Sequence, residues 1–390
     1  MNCDLVELSA GVHQCRRCRR GWHGEPKPRE CYGQKKIATT SSGDRKPEPR
    51  KRDSVRVGML MPNWCAGGVE RYHEAICKWT SQRLEWAGLA LTKDSPVSQR
   101  AVDQISRLMP VYRDGNIQPV LDSCDVLLTW AVPDLAGLIG DFPGRVVAIS
   151  HGDGQWLRSR LHPSCDRATD FVAVSREAAN AFPDSARDRV VIQPAGIEID
   201  RISPSRPRDE IRSEWGVRPD QIALGYVGRF SPEKNPLHLA RIVAGLSDRY
   251  VAVYHGHNPW GEEKFRRDAT EAAKGKIVFV PPTVHTGDVY AGIDRLIQAS
   301  DAEGGPLVAI EAWLTGVPLV TTPVGIVADD DDLRACSEVV PIGSTVERWR
   351  WAVQNEIRYD TRSIAFSHYS AAAAARRWEN YLIGVANGNR

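Results

Sequence analysis

From Val55 onward the chain repeats one pattern: a short apolar run, a polar or amphipathic stretch, then another apolar run. This alternation constrains the fold more than any other feature. Continuous apolar runs of strand length suit strands buried on both faces, and the stretches between them can carry helical crossovers. The pattern therefore specifies parallel sheets covered by helices, an α/β class. Val55–Met61, Gly88–Thr92, Asp125–Thr129, Arg145–Ser150, Phe171–Ser175 and Val190–Gln193 read as one series of strands. A second series reads as Ile222–Val227, Tyr250–Tyr254, Lys276–Val280, Leu296–Ala299 and Leu319–Thr322. Helical spacing covers Val69–Leu84 through Val69, Tyr72, His73, Ile76 and Trp79. Further helices are expected over Leu237–Leu246, Leu307–Thr315 and Ser367 to Ile383. Between the two series, Ile202–Pro219 is a break rich in Pro, Ser and charge.

Hydrophobic residues make up 42% of the chain, enough for sizeable cores. The net charge is only +2, but it is unevenly placed: residues 1–54 hold 13 Lys/Arg against 7 Asp/Glu. No apolar run approaches the roughly 20 residues of a membrane span, and the start lacks the order of a signal peptide. The expected compartment is the cytosol, with peripheral membrane association as an option. Nine cysteines, an odd number, argue against a secreted disulfide framework. Four of them, Cys3, Cys15, Cys18 and Cys31, cluster within residues 1–33. Four thiolates could enclose a structural zinc ion and fold a segment too small to fold alone, a reading favoured over free thiols. Arg16, Arg17, Arg19 and Arg20 around them could touch nucleic-acid phosphates, although a solvated basic face is the plainer account. Residues 34–54 read as a flexible basic linker.

Two carboxylates eight positions apart carry the chemistry: Glu303 in a Gly-rich loop and Glu311 on the helix that the loop opens. Carboxylates can hold sugar hydroxyls. The amides of Gly304 and Gly305, with a helix N-terminus near Pro306, can hold an anion. Upstream, Gly225-Tyr-Val-Gly-Arg229-Phe-Ser-Pro-Glu-Lys234 takes the end of a strand into a loop, so that Arg229 and Lys234 can converge on one anion. Singly, each of these residues has a plain surface role. Together they specify a site for a sugar carried on a diphosphate.

These residues resemble the GT-B glycosyltransferases, in particular the large retaining family 4 group, which shows G-R-x4-K and then an E-x7-E motif. Gly67-Gly68-Val-Glu-Arg, Ile149-Ser-His151-Gly152 and Pro194-Ala195-Gly196-Ile197 are further echoes. The likeness covers about 55–385. It implies two facing Rossmann-like domains, at 55–205 for the acceptor and 206–365 for the nucleotide sugar, with a helix over 366–390 crossing back to the first. Closure is expected about the segment near 200–220. By this resemblance Arg229 and Lys234 bind the donor diphosphate, and Glu303 contacts the transferred sugar beside amides at Gly304, Gly305 and Leu307, with Pro306 between them. Glu311 holds ribose hydroxyls, Gly67 and Gly68 let a loop approach phosphate, and His151 reaches the sugar. Transfer with retention and without a catalytic cofactor or metal is implied. The chain departs from the family in having Ala195-Gly196 for the common Asn-Gly, and Gly325-Ile326 for a Gly-Gly pair.

Twelve tryptophans are many for this length. Trp64, Trp130 and Trp156 each follow a first-series strand, where parallel sheets bind ligands, and could form a stacking platform for an acceptor. Core packing is the equal alternative for each. The expected reaction moves a sugar from a nucleotide-diphosphate donor to an acceptor hydroxyl. The acceptor could be a glycan, a lipid-linked glycan, a small molecule or a modified nucleic acid. The competing readings are a nucleic-acid-associated binding protein working through its basic Cys-rich segment, and a nucleotide-sugar epimerase of the same fold.

Overall fold

A computed structural model describes residues 5–9, 12–15, 21–23, 54–65, 67–152, 154–256, 261–281, 285–356 and 360–388. The chain divides into two compact units. One comprises Met1–Gly196 with Ser370–Arg390, the other Ile197–Tyr369. At the start, β1 (Leu5–Ser9), β2 (Val12–Cys15) and β3 (Gly21–His23) form an antiparallel ribbon. Cys15 ends β2, and only its backbone is described. Cys3, Cys18 and Cys31, like the linker up to residue 53, lie outside the described residues.

The first unit is built on seven parallel strands: β4 (Val55–Met61), β5 (Leu84–Leu91), β6 (Val111–Tyr112), β7 (Val126–Thr129), β8 (Arg145–Ser150), β9 (Asp170–Ala173) and β10 (Val190–Ile192). Their spatial order is β6-β5-β4-β7-β8-β9-β10. The order reverses between β4 and β7, so the connections from these two strands run in opposite directions and leave a crevice at their carboxyl ends. Met59, Leu60 and Met61 of β4 are buried, as their unbroken apolar run requires. The helix Gly68–Trp79 ends earlier than its spacing suggested, at Thr80, and Leu84 opens β5 instead. Leu84 is apolar and lies in helical phase, so periodicity alone could not separate it from the helix.

The second unit carries β11 (Ile222–Val227), β12 (Tyr250–His255), β13 (Ile277–Val280), β14 (Arg295–Gln298), β15 (Leu319–Thr321) and β16 (Glu338–Val339). They are parallel, in the order β13-β12-β11-β14-β15-β16. Here the reversal falls between β11 and β14. The helix Leu307–Thr315 is apolar on nearly every side, with Ile310, Ala312 and Trp313 fully buried. A helix of that kind must lie inside a protein.

The segment read as a break, Ile202–Pro219, contains a helix, Arg208–Glu214. Its charge concealed it, because one of those charges is buried. Arg212 donates to Asp294 at 2.9 Å and to the carbonyls of Gly292, Arg218 and Gln221 at 3.1, 3.1 and 2.6 Å. Asp294 also accepts from the amide of Ala223 at 2.7 Å. This network ties the amino ends of β11 and β14 together. The single closing helix expected from Ser367 is two, Arg362–Tyr369 and Ala371–Ala386. Ser370 separates them in an extended conformation and caps the second by accepting from the amide of Ala373 at 3.3 Å. The second helix packs on Gly68–Trp79, where Trp378 Nε1 donates to Tyr72 Oη at 2.8 Å and Tyr72 donates to the carbonyl of Gln193 at 2.8 Å. Among the described residues, no helix is long and apolar enough to cross a membrane.

Candidate active site

In the second unit the loops after β11 and β14 meet at the reversal of strand order, where open α/β sheets bind ligands. Several contacts lock them together. The amide of Asp301 donates to the carbonyl of Glu233 at 3.0 Å, and Asn235 Nδ2 donates to Asp301 Oδ2 at 3.0 Å. Asn235 adopts the left-handed conformation that lets the short helical turn Pro232–Lys234 pass directly into the helix Pro236–Ala244. Lys234 is thereby aimed across the gap, and its Nζ donates to Glu303 Oε1 at 2.5 Å. The same carboxylate oxygen accepts from Ser300 Oγ at 2.9 Å. Arg229 stands more loosely. Its side chain is 54% exposed and lies 3.8 Å from Glu233. The hydroxyl of Tyr226 donates to its carbonyl at 2.5 Å and fixes the bend of the loop.

Glu303, Gly304, Gly305 and Pro306 lead into the helix Leu307–Thr315, with Pro306 as its N-cap residue. First-turn amides have no partner within a helix and carry partial positive charge, so this end suits an anion. Beneath the loop lies Gly325, at φ +53. A Cβ there would stand 2.8 Å from the carbonyl oxygen of Gly304 and 2.9 Å from that of Glu303. The second Gly of the family's usual pair is absent here, but the position that supports the loop keeps its glycine.

Glu311 is on the same helix, one side of it facing Tyr290. Only 4% of the residue is exposed. Tyr290, from the helix Thr286–Gly292, donates to Glu311 Oε2 at 2.7 Å, and Arg201, from the helix Ile199–Ile202, comes within 3.8 Å of Oε1. Burial and the adjacent Glu311 carboxylate hold the Tyr290 phenol protonated, well above its ordinary range. Sequence reasoning missed Ser300, Asn235, Asp301, Tyr290 and Arg201. Tyr290, Arg201 and the Asn235–Asp301 pair meet partners distant in the chain, whereas Ser300 lies only three residues before Glu303.

In the first unit, Gly67 and Gly68 lie where the loop after β4 enters the helix Gly68–Trp79. Glu70 closes this loop by accepting from the amide of Cys65 at 2.9 Å. Burial raises its carboxyl above the usual range, and bonds from backbone amides, Gly67 among them, oppose that rise. Its reach back to the N-cap amide is that of a capping box. His151 follows β8, and its Nε2 lies 3.3 Å from Nε2 of His73, a residue passed over as a helix-face histidine. The ring of Tyr72 meets His151 edge-on at 4.8 Å, and that of Trp130 at 6.0 Å. Burial lowers His73 to about 3, and burial with His73 beside it lowers His151 as well. Both rings are neutral, so one Nε2 donates while the other accepts.

Trp64 does not serve as an open stacking platform. It is 2% exposed and donates through Nε1 to the carbonyl of Ala101 at 3.2 Å. Its position after a strand suggested the rim, but the chain folds back over it, with the amide of Trp64 bonded to Pro96 and that of Ser98 to Trp64. Trp130 is half-buried beside His151. The side chain of Trp156 lies outside what is described. The acidic run Asp329–Asp332 spans two short helices, and Asp330 caps the second by accepting from the amide of Leu333 at 2.9 Å.

Residues 207–329 match the family model described as glycosyl transferases group 1. D-inositol 3-phosphate glycosyltransferase of Mycobacterium marinum is 28% identical over 226 residues, covering 55% of this chain and 46% of that protein. Its namesake from Actinosynnema mirum is 32% identical over 152 residues, covering 35% and 36%. The chain thus spans less than half the length of these curated relatives. Among solved structures, HepE of Anabaena in complex with UDP-glucose aligns with a TM-score of 0.70 at 17% identity, over 84% of this chain and 99% of that one. Sucrose-phosphate synthase of Thermosynechococcus elongatus aligns with a TM-score of 0.64 at 15% identity, over 86% and 100%. Residues 207–329 are thus similar to the glycosyl transferases group 1, and the two-sheet fold is the GT-B fold of these solved structures.

Proposed function

We propose that this protein transfers a sugar from a nucleoside-diphosphate donor to an acceptor hydroxyl, and that its second unit binds the donor. One observation carries the reading: Lys234 and Glu303, supplied by the two loops at the reversal of strand order, meet at 2.5 Å beside the N-terminus of a buried helix. A cation, a carboxylate and unpaired helix amides are the groups that a sugar diphosphate needs. The UDP-glucose bound to the structural neighbour HepE supports a nucleotide sugar as the donor class.

In this mechanism the diphosphate displaces Glu303 from Lys234. The ammonium and the Arg229 guanidinium then meet the negative charge that grows on the leaving diphosphate as the bond to the anomeric carbon breaks. Their two positive charges let the departure proceed without a metal ion. Released from Lys234, Glu303 accepts hydrogen bonds from sugar hydroxyls and, with the amides of Gly304, Gly305 and Leu307, fixes the sugar. Glu311 accepts from the ribose. The first unit takes the acceptor, and retention at the anomeric carbon follows from the family likeness. The four clustered cysteines would hold a structural zinc outside this chemistry.

Incubating the purified protein with labelled UDP-, GDP- and ADP-hexoses tests the proposal. Slow donor hydrolysis, or transfer to an added acceptor, is expected, with loss of both in K234A and E303A. Absence of binding and turnover with every donor would sink it, and interconversion of donors without an acceptor would establish an epimerase instead.

A further inference from the structure

We infer that Tyr290 is a positioning residue for donor selection, holding Glu311 in the orientation that separates a ribose from a 2′-deoxyribose. The inference rests on the reading of the second unit as a nucleoside-diphosphate site. Three helices converge on the Glu311 carboxylate: its own, the one bearing Tyr290 and the one bearing Arg201. Tyr290 is 2% exposed, so its hydroxyl has little access to water. It has one proton to give, and the geometry sends it to Glu311 Oε2 at 2.7 Å in preference to the carbonyl of Val308 at 3.4 Å. Arg201 lies on the side of the other oxygen, at 3.8 Å, and partly offsets the buried charge.

A glutamate side chain has three rotatable bonds, and a mobile carboxylate can follow whichever hydroxyl a ligand presents. One clamped by a buried phenol cannot. Removal of a single ribose hydroxyl then leaves a polar group without its partner, and the loss is felt in full. Tyr290 therefore turns a carboxylate that could bind many polyols into one that reads a fixed diol. Neither residue reveals this in the sequence, because they lie on different helices and belong to no common motif.

The test is calorimetric titration of the wild-type protein and of Y290F with UDP and 2′-deoxy-UDP, or with the GDP or ADP pair if the wild type prefers that base. The wild type is expected to favour the ribonucleotide by about tenfold or more. In Y290F this preference falls to within about threefold, while affinity for the deoxynucleotide changes little, because the diphosphate contacts are untouched. A variant that weakens both ligands equally and keeps the wild-type ratio overturns the inference and leaves the donor site standing. A wild type that binds no nucleoside diphosphate overturns the donor site itself. Y290M, which also lacks the hydroxyl, supplies an independent readout should Y290F fail to fold: loss of the ribose preference supports the inference, and a preference kept at the wild-type ratio overturns it.

Discussion

Nζ of Lys234 stands 2.5 Å from Oε1 of Glu303, and both side chains are mostly shielded from water. The pair joins two motifs that the sequence presents as separate. If both residues act on the same bound diphosphate sugar, their losses will not add. K234A is expected to lower transfer or donor hydrolysis by about 10²- to 10³-fold. E303A should fall in the same range, and the double variant only slightly below the worse single one. Steady-state rates of the three variants check this; fully multiplicative losses would show that the residues serve different steps.

Gly325 supports the Glu303–Pro306 loop from below. G325A adds a Cβ 2.8 Å from a backbone oxygen and forces φ +53 on an alanine. The expected cost is about 1–3 kcal/mol of stability, with a raised KM for the donor because the 303–306 loop must shift. Urea denaturation and donor kinetics measure the two effects separately. An unchanged KM in a folded variant would mean that the loop takes its shape from elsewhere.

The pair His73 and His151 predicts a pH dependence whose sign is fixed. His73 titrates near 3 in the folded protein, far below its ordinary value of 6.5, so between those values the unfolded chain binds the extra proton. Stability is therefore complete above pH 6.5 and declines as pH falls through 6.5 toward 3, by up to about 1.4 kcal/mol per pH unit for each such histidine. His151 shifts in the same direction and adds to the decline. Urea midpoints between pH 7.5 and 4.5 should fall steeply in the wild type and less so in H73F, since phenylalanine does not titrate.

Trp64 separates packing from recognition. Its removal in W64A should cost about 3–5 kcal/mol through the cavity left behind. A stable variant with an altered acceptor KM would restore it to the binding surface.

Arg212 offers a test away from the site. R212A strips three carbonyls of their donor while Asp294 keeps Arg208 as an ion-pair partner, at an expected cost of about 1–3 kcal/mol. Donor KM should hold at temperatures where the variant remains folded, as followed by thermal denaturation and kinetics together.

The sequence disclosed those parts of the molecule whose cause is local. β4, β8 and β11 are buried on both faces, so their apolar runs are visible without knowledge of neighbours. Leu307–Thr315 declares itself in the same way. Arg208–Glu214 did not, since its burial depends on Arg212 meeting Asp294 from another part of the chain. The motif residues around the candidate donor site could be named in advance, but most of the groups that position them could not. Tyr290 and Arg201 are ordinary residues until folding brings them to a carboxylate. Trp64 misled because a strand end marks where a residue lies along a sheet and says nothing of what later folds over it.

The helix Ala371–Ala386 completes the core of the first unit, although the whole of Ile197–Tyr369 lies between the two in the chain. During translation, the intervening unit is contiguous and can finish folding as it leaves the ribosome. The unit that begins earlier must wait with one face of Tyr72 and its apolar neighbours uncovered until this helix arrives. That order of birth makes the earlier-made unit the one a nascent-chain chaperone has longest to hold.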